Sequence, residues 1–467
     1  MQRRSFFRNS SLTLLGTTLL GKGFTAAAEP VQPAGRSARN IIFLVSDGMS
    51  TGTLTMTDLY LQRKMGYRSN WLRLYDEQKA RRAFMDTASA NSLVTDSAAG
   101  SSAWGGGVRV PNGSLNVNAD GSFNMPILQK FKAAGKAVGC VTTVPIAHAT
   151  PAGFCVNNNK RGDMDEIAEQ YLALRFDVML GGGSDNFMPE TRKDKKNLIQ
   201  AYRDDNYTVV TSRNGLNAVP ADLSQPLLGV FAKDGMPYQV DQASDKELQE
   251  KVPTLAEMTQ KAISVMSRNK KGFVLQVESG KVDWAAHAND IGALIGEQVA
   301  FDEALKLVLD FAEKDGNTLV VITTDHGNAN PGLMSSSNTN KKFDSLQGYK
   351  QSNDWILNGI NRDFTYQQVV ERIQYAQGWV PEESEAKALL QHYQQLDESG
   401  LYNPKKLPFR YLAEIQQQHT AVGWASMDHS ADFVELAMVG PGSESLRHYV
   451  KNHELHQFML QAARVNK

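Results

Sequence analysis

The sequence is poor in cysteine, in long apolar runs and in excess charge of either sign. Its two cysteines, Cys140 and Cys155, exclude a disulfide framework: either they pair with each other or, as the simpler interpretation, they are two separate thiols. The formal net charge is −1, which gives no basis for nucleic-acid binding. No apolar run reaches the roughly 20 residues of a membrane-spanning helix, so we expect no membrane anchor.

The N-terminal segment, residues 1–28, differs in character from the rest. Arg3–Arg4 begin a basic stretch, residues 12–20 are mildly apolar, and residues 26–28 are alanines that suit a signal peptidase. Paired arginines followed by two phenylalanines favour a twin-arginine export signal, with an ordinary secretory signal as the alternative. We therefore expect a periplasmic or secreted protein whose catalytic domain spans residues 29–467.

The remaining chain alternates short β-branched apolar runs with amphipathic helices. Hydrophobic residues make up 41% of the sequence and charged residues 21%, an ordinary globular balance. Alternation of this kind predicts an α/β fold, a three-layer sandwich with a central, mostly parallel sheet. An apolar stripe from Phe301 to Ala312, ended by Gly316, predicts one helix. The predicted strands are 41–45, 137–142, 178–180, 273–277, 318–322 and 433–438.

A surface insertion is expected at about residues 335–420. This stretch is rich in Gln, Lys, Glu and Tyr, and residues 365–377 and 385–395 have the pattern of surface helices. We interpret it as a helical decoration of the catalytic core, serving as a lid, a dimer contact or neither.

Acidic side chains follow three of the predicted strands. They are Asp47, Glu278 and the pair Asp325–His326. In open α/β sheets ligands bind outside the carboxyl ends of the strands, so these groups are expected to meet at one edge. One such aspartate alone is more often a turn residue or a helix cap. Three together indicate a metal site.

Asp283 and His287 are four residues apart, just after Glu278. If a helix begins near Asp283, both side chains lie on one helix face and can chelate one zinc ion. Glu278 could reach a neighbouring metal through oxygen, which suits magnesium. Surface Asp/His pairs are common, so this pair alone is a weak signal.

Ser97 lies in a run of small residues, Thr95–Ala103, that lets a ligand approach the backbone closely. We expect Ser97 to begin a helix, where free N–H groups favour a phosphate. The alternative is that Ser97 is simply an N-cap. The sequence around Ser97 has no G-x-S-x-G nucleophile elbow, so a serine nucleophile here needs a metal for activation.

Three further polar residues are candidates that are weak on their own. Arg161, which follows the segment His148–Gly153, could fork onto two phosphate oxygens, although a lone Arg is usually a solvated surface group. Adjacent Asp325 and His326 can face one cavity at a sharp turn. A lone histidine such as His429 would normally be structural.

Taken together and in this order, these segments resemble the alkaline phosphatase family. The matching pieces span about residues 40–445 and are LVSDGMS, TDSAAGSSAWGGG, HATPAGF followed by Arg161, VESGKVDWAAH, TTDHGN and DHSADFVELAMVGPG. The joint match is specific, although each piece alone is weak. The signal and the insertion lie outside it.

The resemblance implies a role for each matching residue. Ser97 matches the serine that becomes phosphorylated, and Arg161 matches the arginine that grips phosphate. The ligands of one zinc are matched by Asp283, His287 and His429. Those of a second zinc are matched by Asp47, Asp325 and His326, and those of a third, usually magnesium, site by Asp47, Thr150 and Glu278.

Two positions depart from the best-studied bacterial pattern. His148 stands where that pattern has Asp, beside the third metal site, and Trp284 stands where it has Lys, on the phosphate side. We count His148 among the metal-site residues and Trp284 among those that bind substrate. An imidazole in place of a carboxylate would weaken magnesium at the third site or admit zinc or cobalt.

The resemblance implies a broad-specificity phosphate monoester hydrolase active at alkaline pH through a phosphoserine intermediate. Two zinc ions and one magnesium ion are the expected cofactors, small phosphate monoesters the expected substrates, and a homodimer is possible. The alternative is a phosphodiesterase or a related hydrolase of the same superfamily, such as a sulfatase. A catalytically inactive phosphate- or metal-binding protein is a third interpretation, which Ser97 argues against.

Overall fold

The protein is described by a computed structural model covering residues 36–394 and 406–465. The export signal predicted for residues 1–28 lies outside the described residues. Among the described helices, none has both the length and the apolar character needed to cross a bilayer.

Strands and helices alternate through most of the described chain. The strands are β1 (Asn40–Ser46), β2 (Arg81–Asp86), β3 (Ala137–Pro145), β4 (Val178–Gly182), β5 (Thr208–Val210), β6 (Leu227–Val230), β7 (Phe273–Ser279), β8 (Thr318–Thr323), β9 (Gly327–Asn328), β10 (Gly332–Leu333), β11 (Val422–Gly423), β12 (His429–Ser430), β13 (Val434–Val439) and β14 (Tyr449–Lys451). The helices are α1 (Thr51–Met65), α2 (Asn70–Asp76), α3 (Ser97–Gly106), α4 (Ile127–Ala133), α5 (Ala149–Cys155), α6 (Met164–Leu174), α7 (Leu198–Asp204), α8 (Arg213–Ala218), α9 (Gln239–Ser244), α10 (Lys246–Lys251), α11 (Leu255–Met266), α12 (Lys281–His287), α13 (Ile291–Asp315), α14 (Thr339–Asp344), α15 (Asn353–Asn358), α16 (Tyr366–Gln377), α17 (Glu383–Gln394), α18 (Phe409–Thr420) and α19 (Glu454–Ala462).

Ten of these strands form one central sheet in the order β14-β2-β13-β8-β1-β7-β3-β4-β6-β5. Strand β13 runs antiparallel to both of its neighbours, and the other pairings are parallel. The predicted α/β fold with a mostly parallel sheet is therefore confirmed. All six predicted strands are present within it.

Strand β1 shows why helices cover both faces of the sheet. Its side chains alternate: Ile41, Phe43 and Val45 belong to one hydrophobic core, and Ile42 and Leu44 belong to the other. A strand buried on both faces reads as a continuous apolar run, as this one does. The two cores give the predicted three layers, with α3 and α5 on one face and α12 and α13 on the other.

The stretch predicted as an insertion contains five helices, α14–α18, among its described residues. Helices α16 and α17 lie where the surface helices were predicted. Apolar residues of α15–α18 form a separate small core that also includes Ala288, directly after His287. The segment is thus anchored beside one predicted metal ligand.

The two cysteines are unbonded but in contact. Cys140 lies on β3 and Cys155 ends α5, and both are fully buried with their Sγ atoms 3.7 Å apart. The interpretation as two separate thiols therefore describes this structure.

Candidate active site

The predicted site residues converge at the carboxyl ends of four adjacent parallel strands, β8, β1, β7 and β3. Register explains the convergence, because Val45 of β1 pairs with both Glu278 and Thr323, and Thr142 of β3 also pairs with Glu278. Asp47 comes two residues after Val45, and Asp325 two residues after Thr323. Side chains separated by hundreds of residues along the chain therefore share one edge.

Ser97 is the first residue of helix α3, as predicted, but it is not the N-cap. Asp96 is the N-cap: its carboxylate accepts a hydrogen bond from the backbone N–H of Ala99. The hydroxyl of Ser97 is therefore not needed to cap the helix. Its Oγ lies 3.3 Å from Nε2 of His326 and is almost fully buried.

Asp283, His287 and His429 form the first of three groups whose possible ligand atoms lie within 4.8 Å of one another. Helix α12 places Asp283 and His287 one turn apart, as the spacing predicted, with 3.5 Å between Oδ2 and Nε2. His429 arrives on the short strand β12, which pairs with β9 so that His429 lies opposite Asn328. Its Nε2 is 3.0 Å from Nε2 of His287.

Asp47, Asp283 and His326 form the second group. Asp325 lies beside it, with its Oδ2 3.2 Å from Nε2 of His326. Asp283 therefore belongs to two groups, although the family resemblance implied only one for it. The imidazoles of His326 and His429 stack at 3.7 Å, which brings the first and second groups into contact.

Asp47, His148 and Glu278 form the third group. Thr150, at the start of α5, directs its hydroxyl to Oδ2 of Asp47 at 3.3 Å. Thr142 donates to Oε2 of Glu278 at 2.5 Å. Asp47 thus connects the second and third groups, as the sequence analysis predicted.

Buried polar atoms without hydrogen bonds show that these groups suit cations. Oδ1 of Asp47, Nδ1 of His148, Oε1 of Glu278 and Oδ2 of Asp325 are buried and have no hydrogen-bond partner in the described chain. Buried polar atoms are normally satisfied. Four such donor atoms at one sheet edge are therefore well suited to bind divalent metal ions.

The buried carboxylates of the site repel one another when no cation is bound. Burial and the nearby charges of Asp325, Asp283 and Glu278 raise the pKa of Asp47 well above its usual range. Burial, followed by repulsion from Asp325, raises the pKa of Glu278 to about 7. A bound cation would relieve this repulsion and keep both carboxylates ionised.

The histidines differ in charge according to their surroundings. Burial lowers the pKa of His148 to about 3 and that of His326 to about 4. Both are therefore neutral at neutral pH, the protonation state that a metal-bound imidazole requires. Burial also opposes charge on His429, but the hydrogen bond and charge of Asp283 outweigh it and raise the pKa of His429 to about 9.

Arg161 and Trp284 both contact His148. The guanidinium of Arg161 donates to Oδ2 of Asp96 at 3.1 Å and contacts Nε2 of His148 at 3.2 Å. Asp96 therefore links helix α3 to Arg161. Trp284 meets the His148 ring edge-on at 6.1 Å, and Nζ of Lys281 lies 4.5 Å from the indole.

Sequence reasoning missed several residues that hold these side chains. Asn328 donates to Oδ1 of Asp283 at 2.7 Å, and Thr142 and Asp96 make the contacts described above. Asp96 could have been found from its strong N-cap preference, directly before a predicted helix. The partners of Thr142 and Asn328 depend on strand register, which no local pattern specifies.

Helices α3 and α5 cross closely next to the site because Gly105 and Gly153 face each other. A Cβ at Gly153 would lie 2.6 Å from Cβ of Ser101 and 2.9 Å from its carbonyl carbon. We expect Gly153→Ala to force the helices apart and to cost about 1–3 kcal/mol of unfolding free energy. Thermal denaturation measures this loss. Gly348→Ala is the control, because a Cβ there meets nothing within 4 Å; equal melting temperatures for the two variants would contradict the prediction.

The fold and the site together define a class of protein. A buried serine at a helix N-terminus, an arginine beside it and three groups of His, Asp and Glu at one edge of a parallel sheet are the parts of a metal-dependent hydrolase of phosphate esters. The class is supported independently by comparison with known proteins.

The chain belongs to the alkaline phosphatase family, whose model matches residues 38–465. It is 30% identical to alkaline phosphatase 4 of Bacillus subtilis, over 97% of each chain. It is 33% identical to the alkaline phosphatase of Escherichia coli, over 68% of this chain and 78% of that one. The protein is therefore a phosphatase, and members of its family use metal ions.

Solved structures give the same result. The alkaline phosphatase of Thermus thermophilus superposes with a TM-score of 0.86 at 32% identity, covering 96% of both chains. A cold-active alkaline phosphatase from a psychrophilic Shewanella superposes with a TM-score of 0.77 at 25% identity, covering 92% of this chain and all of that one.

Proposed function

We propose that the protein is a phosphate monoester hydrolase of broad specificity. It acts at alkaline pH through a phosphoserine intermediate on Ser97. The observation that carries this proposal is the position of the Ser97 hydroxyl. It is 3.3 Å from His326, at the N-terminus of α3 and within reach of the second metal-binding group. Among the described residues, the basic side chain that contacts the Ser97 hydroxyl is His326, which belongs to that group.

The residues of the site divide the work as follows. The Ser97 oxygen attacks phosphorus as its proton leaves, the bond from phosphorus to the ester oxygen breaks, and the alcohol departs after that oxygen takes up a proton. Water then attacks the phosphoserine, the bond from phosphorus to the Ser97 oxygen breaks, and inorganic phosphate leaves. The positive end of the α3 dipole would favour the negative charge of a phosphate at Ser97. Arg161, held by Asp96, neutralises phosphate oxygens in a bidentate contact. Divalent cations held by the three groups would supply the positive charge that activates the serine and stabilises the attacking and leaving oxygens.

We propose two zinc ions, held by Asp283, His287 and His429 and by Asp47, Asp325 and His326. Imidazole and carboxylate donors of this kind suit zinc. The third group offers oxygens from Asp47, Thr150 and Glu278, which suit magnesium, and one nitrogen from His148, which suits zinc or cobalt. We assign magnesium to it and expect His148 to weaken the preference.

We also propose a location, a substrate class and an oligomeric state for the protein. Residues 1–28 direct the protein to the periplasm or the exterior. Small phosphate monoesters are its substrates, and a homodimer is compatible with the fold. Trp284 borders the phosphate side of the site through its contact with His148.

Metal removal and replacement tests the proposed function. Protein stripped with EDTA is assayed with para-nitrophenyl phosphate at about pH 9, with zinc and magnesium restored singly and together. We expect activity to vanish, to return with zinc and to increase further with magnesium. Parallel assays with the bis(para-nitrophenyl) ester and para-nitrophenyl sulfate should give much lower rates. Full activity after stripping, or a preference for the diester or sulfate, would overturn the proposal.

A further inference from the structure

The backbone carbonyl of Thr150 accepts hydrogen bonds from two side chains that belong to none of the three metal-binding groups. Oγ of Ser101 donates to this carbonyl at 2.6 Å, and Nε2 of Gln276 donates to it at 3.1 Å. Both side chains are fully buried. Ser101 comes from α3, the helix that begins with Ser97, and Gln276 comes from the middle of β7, the strand that carries Glu278.

The Ser101 hydroxyl does not donate to a carbonyl of its own helix. Serine within a helix commonly donates to the carbonyl of its own preceding turn. Ser101 instead donates across the narrow contact between α3 and α5, where Gly153 allows its side chain to approach. Gln276 places a polar amide at the centre of a buried strand, which is costly where it is not hydrogen-bonded. Its Nε2 donates to the Thr150 carbonyl, and its Oε1 has no hydrogen-bond partner in the described chain.

The carbonyl that they share lies at the start of α5, next to the third metal-binding group. The Thr150 hydroxyl points to Asp47, and His148 directly precedes the helix. Fixing this carbonyl fixes the first turn of α5 relative to both Ser97 and Glu278. Helix α3, helix α5 and strand β7 are therefore tied at one atom beside the third group.

We infer that Ser101 and Gln276 are positioning residues that set the affinity of the third site for its cation. This inference rests on the proposed function, because it requires a third cation at Asp47, Thr150 and Glu278. Neither residue touches the cation or the phosphate. They act by holding Thr150 and His148 at the distance from Asp47 and Glu278 that a small cation requires.

The test uses Ser101→Ala and Gln276→Met in the full-length zinc-loaded enzyme. Ser102→Ala is the matched control, because Ser102 is the next residue of α3 and is equally buried but bonds to Ser114 and Asn116 instead. Magnesium binding is measured by equilibrium dialysis and by the magnesium-dependent rise in melting temperature. We expect about tenfold weaker magnesium binding in both test variants, as for loss of other residues that support metal ligands.

The zinc content of both test variants should equal that of wild type, and Ser102→Ala should bind magnesium as wild type does. Excess magnesium should restore the activity of both test variants. A purely structural role would lower the melting temperature without changing the magnesium dissociation constant, and that result would overturn the inference. If Ser101→Ala fails to fold, Gln276→Met decides the question by the same measurement. If the wild-type enzyme itself binds no third cation, the proposed third site fails instead.

Discussion

Replacing Ser97 with alanine is expected to lower phosphomonoester turnover by roughly a thousandfold or more, as removal of a nucleophile does in other hydrolases. In the proposed function the hydroxyl is the attacking group, and in the described chain its one hydrogen-bond contact is with Nε2 of His326. Alanine removes this contact without disturbing α3, because Asp96 caps the helix. Loss of activity would therefore report on chemistry and not on folding.

The measurement pairs steady-state rates with detection of the intermediate. Wild-type enzyme quenched in acid during turnover should carry one phosphate on the peptide that contains Ser97, as mass spectrometry can show. Ser97→Ala should carry none, while its metal content and melting temperature stay close to those of wild type. Ser102→Ala, five residues along the same helix, should retain both the label and the rate. A Ser97→Ala enzyme with wild-type turnover would exclude the covalent step.

The central strands could be predicted because their burial is total. Strand β1 is covered on both faces, so its residues form an uninterrupted apolar run that is visible in the sequence. Strand β2, Arg81–Asp86, was missed because it pairs at the antiparallel side of the sheet and keeps half of its side chains exposed. Its sequence, RRAFMD, has charged residues at both ends and only three consecutive apolar residues.

The candidate site could be predicted in part for a related reason. Asp47, Glu278 and Asp325 follow strands that were recognisable, and parallel pairing brings the ends of those strands together. His429 could not be placed by this argument. It enters through the pairing of β12 with β9, and no local pattern distinguishes it from a structural histidine. For His429 the family resemblance supplied what physical reasoning from the sequence lacked.

The interpretation of Ser97 as an N-cap is wrong, because the residue before it, Asp96, caps the helix. Aspartate and serine are both good caps, and the sequence offers them side by side at Asp96 and Ser97. The carboxylate of Asp96 also accepts from the N–H of Gly113 and pairs with Arg161, and these long-range bonds decide which residue caps the helix. Choices of this kind depend on tertiary partners that local propensity does not include.

Replacing Asp47 with asparagine is expected to remove metal from two sites at once. Asp47 is common to the second and third groups, and an amide offers a single neutral oxygen where the carboxylate offers two charged ones. We expect more than about a hundredfold loss of metal affinity at each site, since even residues behind the ligands contribute tenfold to a hundredfold. Turnover should fall with it.

Metal content separates this variant from two controls. His287→Ala should lose metal from the first group alone, and Glu278→Gln from the third alone. Asp47→Asn should retain only the metal of the first group. An Asp47→Asn enzyme that keeps the full wild-type metal content would show that the carboxylate does not connect the two sites.

In metal-free protein, Asp47→Asn should raise the melting temperature above that of wild type. The pKa of Asp47 is raised in the folded protein by burial and by three neighbouring carboxylates. A raised carboxyl pKa stabilises the fold at acid pH, and this stabilisation is lost as the pH rises through the folded value. In EDTA at pH 8, Asp47→Asn should therefore melt above wild type, and the difference should shrink at pH 5. With metal present the order should reverse, because the cations that bind the carboxylate stabilise only wild type. Melting temperatures that keep the same order with and without metal would mean that Asp47 is not a ligand.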